Sequence, residues 1–426
     1  MGKRAMGQRT SGPDLMSLAP SDVVWSRRDK ATSLALLLGA QVAAMSVWFS
    51  SSAAMASIKR HAAVTPMQEA VLTNAVQVGF VLGTIVSALL CLADRYDPRR
   101  LFGFSALVAA VATGSLVLLP PSGIEVVLLR FLTGVCMAGV YPVGMRMVAA
   151  WANRDLGLLI GLLVGALTLG SASPHLLAAY GTLDWRTIYV IAAAGSAIAA
   201  LLVCIVKLGP NSRRAATVDV SQVAQSWRCP SLRLVNLGYL GHMWELYALW
   251  AWLAVFLRHA LAGRGFDDPD AEAAWLTFLA IAAGAVGAWL GGLLADRHGR
   301  TCVTIGAMAV SGTCAAVAGW LDHAPLIVLM TVVVIWGVAV IADSAQFSAS
   351  IAELAEPTAI GTLLTAQTCA GFLLTMASIQ LLPVVLGHAG WRGAFTMLAL
   401  GPLVGCLAMW RLRSTPDAKR LAGGKK

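Results

Sequence analysis

Glu245 and His242 lie three residues apart in GYLGHMWELYALWAW, residues 238–252. The surrounding run, 232–257, is otherwise nearly all apolar and long enough to cross a bilayer. A charged side chain at such a depth costs roughly 2.5–3.5 kcal/mol on insertion scales. A carboxyl taken out of water is pushed toward holding its proton. Glu245 can therefore carry a proton and release it when water reaches it, and His242, one turn away, can share that proton or bind a solute. The plain alternative is a buried hydrogen bond between helices. Asp343 poses the same choice in another apolar run, as a second proton-carrying carboxyl or as a structural partner. Arg130 does not readily deprotonate, so it needs an anion or a set of interhelical acceptors.

Catalysis leaves no comparable trace. There is no nucleotide loop, no metal-ligand cluster and no nucleophile–base spacing, so neither an enzyme nor a bound cofactor or metal is expected. The eight cysteines are scattered without a C-x-x-C pair, which argues against a disulfide framework or a zinc site.

These residues need elements that hold them at depth. The chain of 426 residues is 58% hydrophobic and only 12% charged, about half the charged share of an ordinary soluble protein. That is too few charges to cover a water-exposed surface of this size, and a polytopic membrane protein in contact with lipid follows. The net charge of +10 does not point to nucleic acid, because the cations sit in short loops and at the two ends rather than in a basic domain with interleaved aromatics. Residues 1–30 are polar and basic and lack the apolar core of a signal peptide, so the first helix is expected to act as an uncleaved anchor.

Twelve apolar runs read as transmembrane helices: 32–56, 69–93, 101–119, 124–150, 156–179, 187–207, 232–257, 272–295, 302–321, 325–351, 358–386 and 393–412. The expected organisation is a tail at 1–31, a six-helix bundle at 32–207, a polar loop at 208–231, a second six-helix bundle at 232–412 and a tail at 413–426. With both ends on the cytoplasmic side, only Lys59, Arg60, Arg186, Arg258, Arg264 and Arg392 of the 31 Lys and Arg face outward, and Arg130 lies within the membrane. That bias is the one that cytoplasmic termini require. The halves also repeat. CLADRYDPRR (91–100) closes the second helix and LLADRHGR (293–300) the eighth, while DWRTIY (184–189) opens the sixth and GWRGAF (390–395) the twelfth. Two parallel repeats with a site between them form one class of transporter architecture.

On these residues the chain resembles the major facilitator superfamily. GLLADRHGR, Gly292 to Arg300, fits the family loop motif G-x-L-A-D-R-x-G-R, and its first copy is degraded, with Leu90 in place of the glycine and Asp97-Pro98 in place of the later turn glycine. Arg130 and Gly134 match the R-x-x-x-G element of the fourth helix. Residues 130–151 are also similar to the fourth helix of the anion:cation symporter group, although Met137 replaces its acidic residue. Ser173-Pro174-His175 departs from the glycine run of the antiporter branch, and the second helix lacks the arginine of the nitrate porters.

The resemblance implies an all-α membrane protein of twelve transmembrane helices in two pseudo-symmetric six-helix bundles, in the inner membrane, working as a monomer by alternating access. It further implies that helices one, four, seven and ten line a central cavity. Gly238, Gly241, His242, Glu245, Leu249 and Trp252 share one face of helix seven. Trp336, Asp343, Gln346 and Ser350 form a stripe on helix ten, and Gln41, Met45, Trp48 and Ser52 one on helix one. These faces are expected to meet water in that cavity, with Tyr141 and Arg130 on helix four. Tyr239 and Trp250 point away from the Glu245 face and are assigned to the membrane interface. Asp94, Arg95, Asp296, Arg297, Gly299 and Arg300 are expected to lock the cytoplasmic side closed, the acids near arginines and a helix N-terminus. Lys59-Arg60-His61 is a basic cluster on the outer side that attracts anions or is simply solvated. The resulting expectation is proton-coupled symport of a small organic anion into the cell, with efflux of a lipophilic compound as the rival. A membrane sensor would need an output domain, and segments 1–31 and 413–426 are too short for one.

Overall fold

The computed structural model describes residues 26–121, 123–152, 155–180, 183–211, 220–262, 264–356 and 359–426. The tail at 1–25 and the basic stretch 212–219 lie outside these, as do Arg154 and the side chain of Asp94. Every regular element among the described residues is helical: α1 (Arg27–Met45), α2 (Ser50–His61), α3 (Pro66–Leu89), α4 (Leu92–Arg95), α5 (Pro98–Ser115), α6 (Ile124–Met137), α7 (Tyr141–Ala149), α8 (Leu156–Ala178), α9 (Trp185–Cys204), α10 (Val220–Arg228), α11 (Pro230–Leu261), α12 (Pro269–His298), α13 (Arg300–Ala318), α14 (Leu326–Ala342), α15 (Ser344–Leu354) and α16 (Ile360–Arg413), with short 3-10 turns. Eleven helices or helix pairs among them are long and apolar enough to cross a bilayer, which makes this a multi-pass membrane protein.

Local chemistry sets the boundaries. Ser26 with Asp29 and Thr65 with Gln68 form reciprocal capping boxes at α1 and α3, each satisfying two backbone donors that would otherwise be orphaned. Proline in the first turn starts α3, α5, α11 and α12, where its missing N–H costs nothing. Gly299, at φ 94°, separates α12 from α13, a backbone conformation that side chains resist. At Asp97, hydrogen bonds from Arg99 hold the carboxyl below its ordinary pKa.

Four differences from the sequence reading have physical causes. The runs at 32–56, 124–150 and 325–351 are not continuous helices. They break at Ser46–Phe49, at Ala138–Val140 and at Asp343. Pro142 cannot donate to the preceding turn, and Ser50 turns its hydroxyl onto the Val47 carbonyl at 2.9 Å instead of into solvent. The runs at 358–386 and 393–412 are joined in α16, which is helical on both sides of Gly390 (φ 63°, ψ −171°) and kinks there. The polar loop at 208–231 contains α10, and α11 begins before it ends. Residues 413–426 fold back as 3-10 turns against the α12–α13 loop, where Lys425 donates to the Asp296 carbonyl at 2.6 Å.

Small residues bring the helices together. A Cβ at Gly134 of α6 would lie 2.1 Å from the Val76 carbonyl oxygen of α3, and one at Gly337 of α14 would lie 1.8 Å from the Ala280 carbonyl oxygen of α12. Without a hydrophobic driving force between helices in lipid, such close backbone approach supplies the packing. The α8–α12 seam uses the same device, with Gly161 and Gly165 against Ala288 and Ala285. Across the other seam, Asn74 of α3 donates to the Met376 carbonyl and the Gln380 side chain of α16 at 3.2 and 3.0 Å.

Gly337→Ala is expected to lower stability by about 1–3 kcal/mol through overpacking. Gly306→Ala, where a Cβ meets nothing within 4 Å, should be neutral or stabilising by up to about 1 kcal/mol. Thermal unfolding of the two variants in detergent checks the contrast.

Candidate functional site

The polar chemistry of α11 is divided between its two sides. On one side, Tyr239, Met243, Leu246 and Tyr247 line a chamber together with Tyr141 and Met145 of α7, Ile160, Val164 and Leu167 of α8, Ile341 of α14, Ser344, Ala345 and Ser348 of α15, and Thr368 and Phe372 of α16. The walls thus come from both halves of the chain. Three tyrosines and three aliphatic hydroxyl residues supply the polar groups, and no acid, lysine, arginine or histidine lines this chamber among the described residues. Such a site offers hydrogen bonds and aromatic faces in an otherwise apolar wall.

The opposite side of α11 faces into the C-terminal half. Glu245 is 1% exposed. Its Oε2 accepts from the Ser311 hydroxyl at 2.9 Å, and its Oε1 from the Trp336 indole Nε1 at 2.6 Å. Glu245 has no ion-pair partner among the described residues; its two neighbours are neutral donors. One turn earlier, His242 Nδ1 lies 2.9 Å from Asp343 Oδ1, at the break between α14 and α15, and both side chains are buried. Beyond the break, in the first turn of α15, Gln346 accepts from Arg300 Nη1 at 2.7 Å, and Arg300 grips Glu353 through Nε and Nη2 at 2.9 and 2.6 Å. A buried polar line therefore runs inside the C-terminal half from the middle of α11 toward the Arg300 end.

In this structure the faces expected to meet the cavity turn away from the chamber. The faces carrying His242, Glu245 and Trp252 on α11, and Trp336, Asp343 and Gln346 on α14–α15, do not line the chamber. They pack on α13 and α16: Gly241 meets the Gly401 backbone, and Trp252 donates to the Ile379 carbonyl at 3.2 Å. Tyr239 and Trp250, expected at the membrane interface, are instead 7% and 1% exposed, the first lining the chamber. A polar stripe shows that one side of a helix avoids lipid. It does not say which of two protein interiors receives it.

Above the chamber, toward the Lys59 end, rings from both halves form a layer. Trp48 stands 5.1 Å from Phe80, 5.6 Å from Phe372 and 6.1 Å from Tyr247, and Phe49 stands 5.6 Å from Trp250. Arg130 braces this layer. It is fully buried, and its guanidinium donates to the Val47 carbonyl at 2.7 Å, to the Ser50 hydroxyl at 3.2 Å and to the Trp48 carbonyl. Those carbonyls are the ones freed where α1 stops. The interhelical alternative for Arg130 describes these contacts. Gln41 is buried with neither amide atom hydrogen-bonded among the described residues.

Beyond the aromatic layer lies a second cavity at the Lys59 end, lined by Ser52, Ser57, Lys59, Arg60, Glu69, His175, Arg258 and Asp270 among others. At the far end, the Asp296 carboxylate lies beside the first turn of α8, where a Cβ on Gly157 would sit 3.4 Å from each of its oxygens. Arg297 is exposed, as is Arg95 at the end of α4. Among the described residues no group of His, Cys, Asp and Glu is placed to hold a metal ion.

Residues 36–378 match the family model of the Major Facilitator Superfamily. A segment of 232 residues is 28% identical to the "Probable sulfoacetate transporter SauU" of Cupriavidus necator, covering 48% of this chain and 51% of that protein. The chain therefore spans about half the length of this curated relative. Two crystal structures of a bacterial homologue of the human lysosomal transporter Spinster share the fold. The inward-facing occupied form has a TM-score of 0.70 at 14% identity, over 92% of this chain and 98% of that one. The inward-facing unoccupied form has a TM-score of 0.67 at 14% identity, over 92% and 100%.

Replacing Arg130 by Met should unfold the break between α1 and α2. Each buried carbonyl left without a donor costs about 1–3 kcal/mol, so the melting temperature in detergent should fall steeply, whereas an exposed Arg95→Met control should leave it unchanged.

Proposed function

The chain belongs to the Major Facilitator Superfamily, and on that premise we propose that it is a secondary active transporter and not an enzyme, moving a small organic solute across the inner membrane by alternating access. The proposed architecture counts the two arms of α16 as separate spans, giving twelve in two six-helix halves, 32–207 and 232–412, with both termini cytoplasmic. Matching neighbours support the pseudo-symmetry: the second span packs on the fourth through Gly134 in one half, and the eighth on the tenth through Gly337 in the other.

The proposed driving force is a proton gradient, and the observation that carries it is the environment of Glu245. A buried carboxyl held by a hydroxyl and an indole, with no ion-pair partner among the described residues, can exist neutral or charged without breaking an ion pair. His242 and Asp343 form the adjoining pair through which its charge state is felt. On this reading coupling lies inside the C-terminal half, behind α11, and the solute occupies the chamber in front. Protonation then acts on the solute site by shifting α11 against α14–α15, a population shift between two packed states. The gating role of Asp296, Arg297, Gly299 and Arg300, with Asp94 and Arg95 in the degraded copy, is proposed on the family motif and on the position of Asp296 beside α8.

For the solute, the proposal is an organic anion taken up by symport. Its support is the cationic cavity at the Lys59 end, which in this topology opens outward, together with the sulfonate named for the relative from Cupriavidus necator. A second reading, proton-coupled efflux of a lipophilic compound, draws on the uncharged aromatic walls of the central chamber.

In proteoliposomes with an imposed inward proton gradient, sulfoacetate uptake should rise as the outside pH falls. Glu245→Gln should abolish that gradient-driven accumulation, a loss of tenfold or more, while solute exchange at equal pH persists. If Glu245→Gln accumulates solute with the wild-type pH dependence, Glu245 is not the coupling residue.

A further inference from the structure

The cavity at the Lys59 end has an unbalanced charge pattern. Lys59 is used by Glu69, whose buried carboxylate lies 2.6 Å from the Lys59 Nζ. Among the described residues Arg60 of α2 and Arg258 of α11 share one ion-pair partner, the Asp270 carboxylate at the start of α12, at 3.5 and 3.6 Å, while Arg258 also acts at longer range on Glu69. Two guanidinium groups, one from each half of the chain, thus close on one carboxylate and leave one positive charge in surplus. Asp267, Asp268 and Glu272 of the same turn do not line the cavity. His175 does line it. It is fully buried, and neither ring nitrogen has a hydrogen-bond partner among the described residues. Buried polar groups are almost always paired, so an unpartnered imidazole lining such a cavity is available to a water, an ion or a solute.

We propose that this vestibule is an entry site for a carboxylate or sulfonate, in which Asp270 occupies the anion's place as an internal surrogate. The inference rests on the organic-anion reading above and goes beyond it in assigning the first contact. Arg60, Asp270 and Arg258 form a latch that ties the two halves together at the outer face. The pairs are long and partly exposed, with side-chain exposures of 48%, 29% and 36% for Arg60, Asp270 and Arg258, and ion pairs of that kind are weak and salt-screened. An incoming anion competes for the same two guanidinium groups, frees Asp270 from Arg60 and takes over the bridge between the halves. His175, from α8, offers a ring nitrogen on the floor of the site. An arginine fork takes two oxygens of one anion at once, which a planar carboxylate or two of the three oxygens of a tetrahedral sulfonate can supply and a halide cannot.

The test uses the full chain in phosphatidylcholine nanodiscs, with ethanesulfonate and acetate as probes and ethanol as the uncharged control, followed by calorimetry. Asp270→Asn should tighten binding of the anions about tenfold, because the internal competitor is gone, and Arg60→Gln or Arg258→Gln should weaken it about tenfold. Ethanol should bind none of them. The opposite signs separate a competing latch from a merely structural contact, whose loss would weaken binding in every variant. Equal or weaker binding by a folded Asp270→Asn protein overturns the proposal, as does the absence of anion binding in wild type and all variants. Adding phosphatidylglycerol to the discs distinguishes the source of the anion: competition by this lipid at fixed ionic strength would assign the site to a headgroup and overturn the solute assignment. Proteoliposome uptake is measured separately on the wild type. Uptake of the anion without tightening by Asp270→Asn removes the latch and leaves the transport reading intact, and tightening without uptake does the reverse.

Discussion

A bilayer core offers no water to a broken helix, so every freed carbonyl must find its donor within the protein. The arrangement of this molecule depends on that constraint. The first span stops at Met45 and restarts at Ser50, and Arg130 donates to the carbonyls exposed between them. The break turns Trp48 and Phe49 into the ring layer that parts the chamber from the vestibule. A continuous helix could not present two successive aromatic residues in that way. Arg130 therefore acts first on shape. A permanently charged group with several fixed donors can satisfy multiple carbonyls at once, which explains why arginine serves here rather than a neutral residue.

The same economy governs the acidic residues. Glu245, His242 and Asp343 are held among protein donors behind α11, and the chamber in front carries only hydroxyls and rings. If the proposed proton site and solute site are these two, their separation has a mechanical consequence. A proton and a solute that do not touch can still be linked if both bear on one element with two packings, and the coupling is then reciprocal. In the proposed mechanism the α11 helix is that element, and it is buried along nearly its whole length. Small residues at its contacts, such as Gly241 against Gly401, leave the backbones close enough that a modest displacement is felt across the half.

Much of this was legible in the sequence. The low charge content gave the membrane class, and the first ten apolar runs matched spans to within about five residues, because hydrophobic length answers directly to bilayer thickness, while the last two runs are joined in α16. The motif at Gly292–Arg300 and the R-x-x-x-G of Arg130 and Gly134 pointed to the family now found over residues 36–378. Other features left weaker signals. Ser50-Ser51-Ser52 and Pro142 hinted at the breaks, but serine and proline are also tolerated in unbroken membrane helices. Tyr239, Tyr247 and Thr368, which line the chamber, carried no signal that set them apart from interfacial or core residues.

What the sequence determined by itself was which side chains cannot face lipid: Glu245, His242, Asp343 and Arg130 had to be buried among partners, since the cost of exposing them to hydrocarbon is local and does not depend on the fold. What only the tertiary structure decided was where those buried faces point. Helices such as α11 have protein on both sides, and periodicity is silent about which neighbour lies there. Ser311, Trp336 and Gly401 come from segments far away in the chain. Their arrival on one side of α11 placed the acid within the C-terminal half and left the tyrosines to line the chamber.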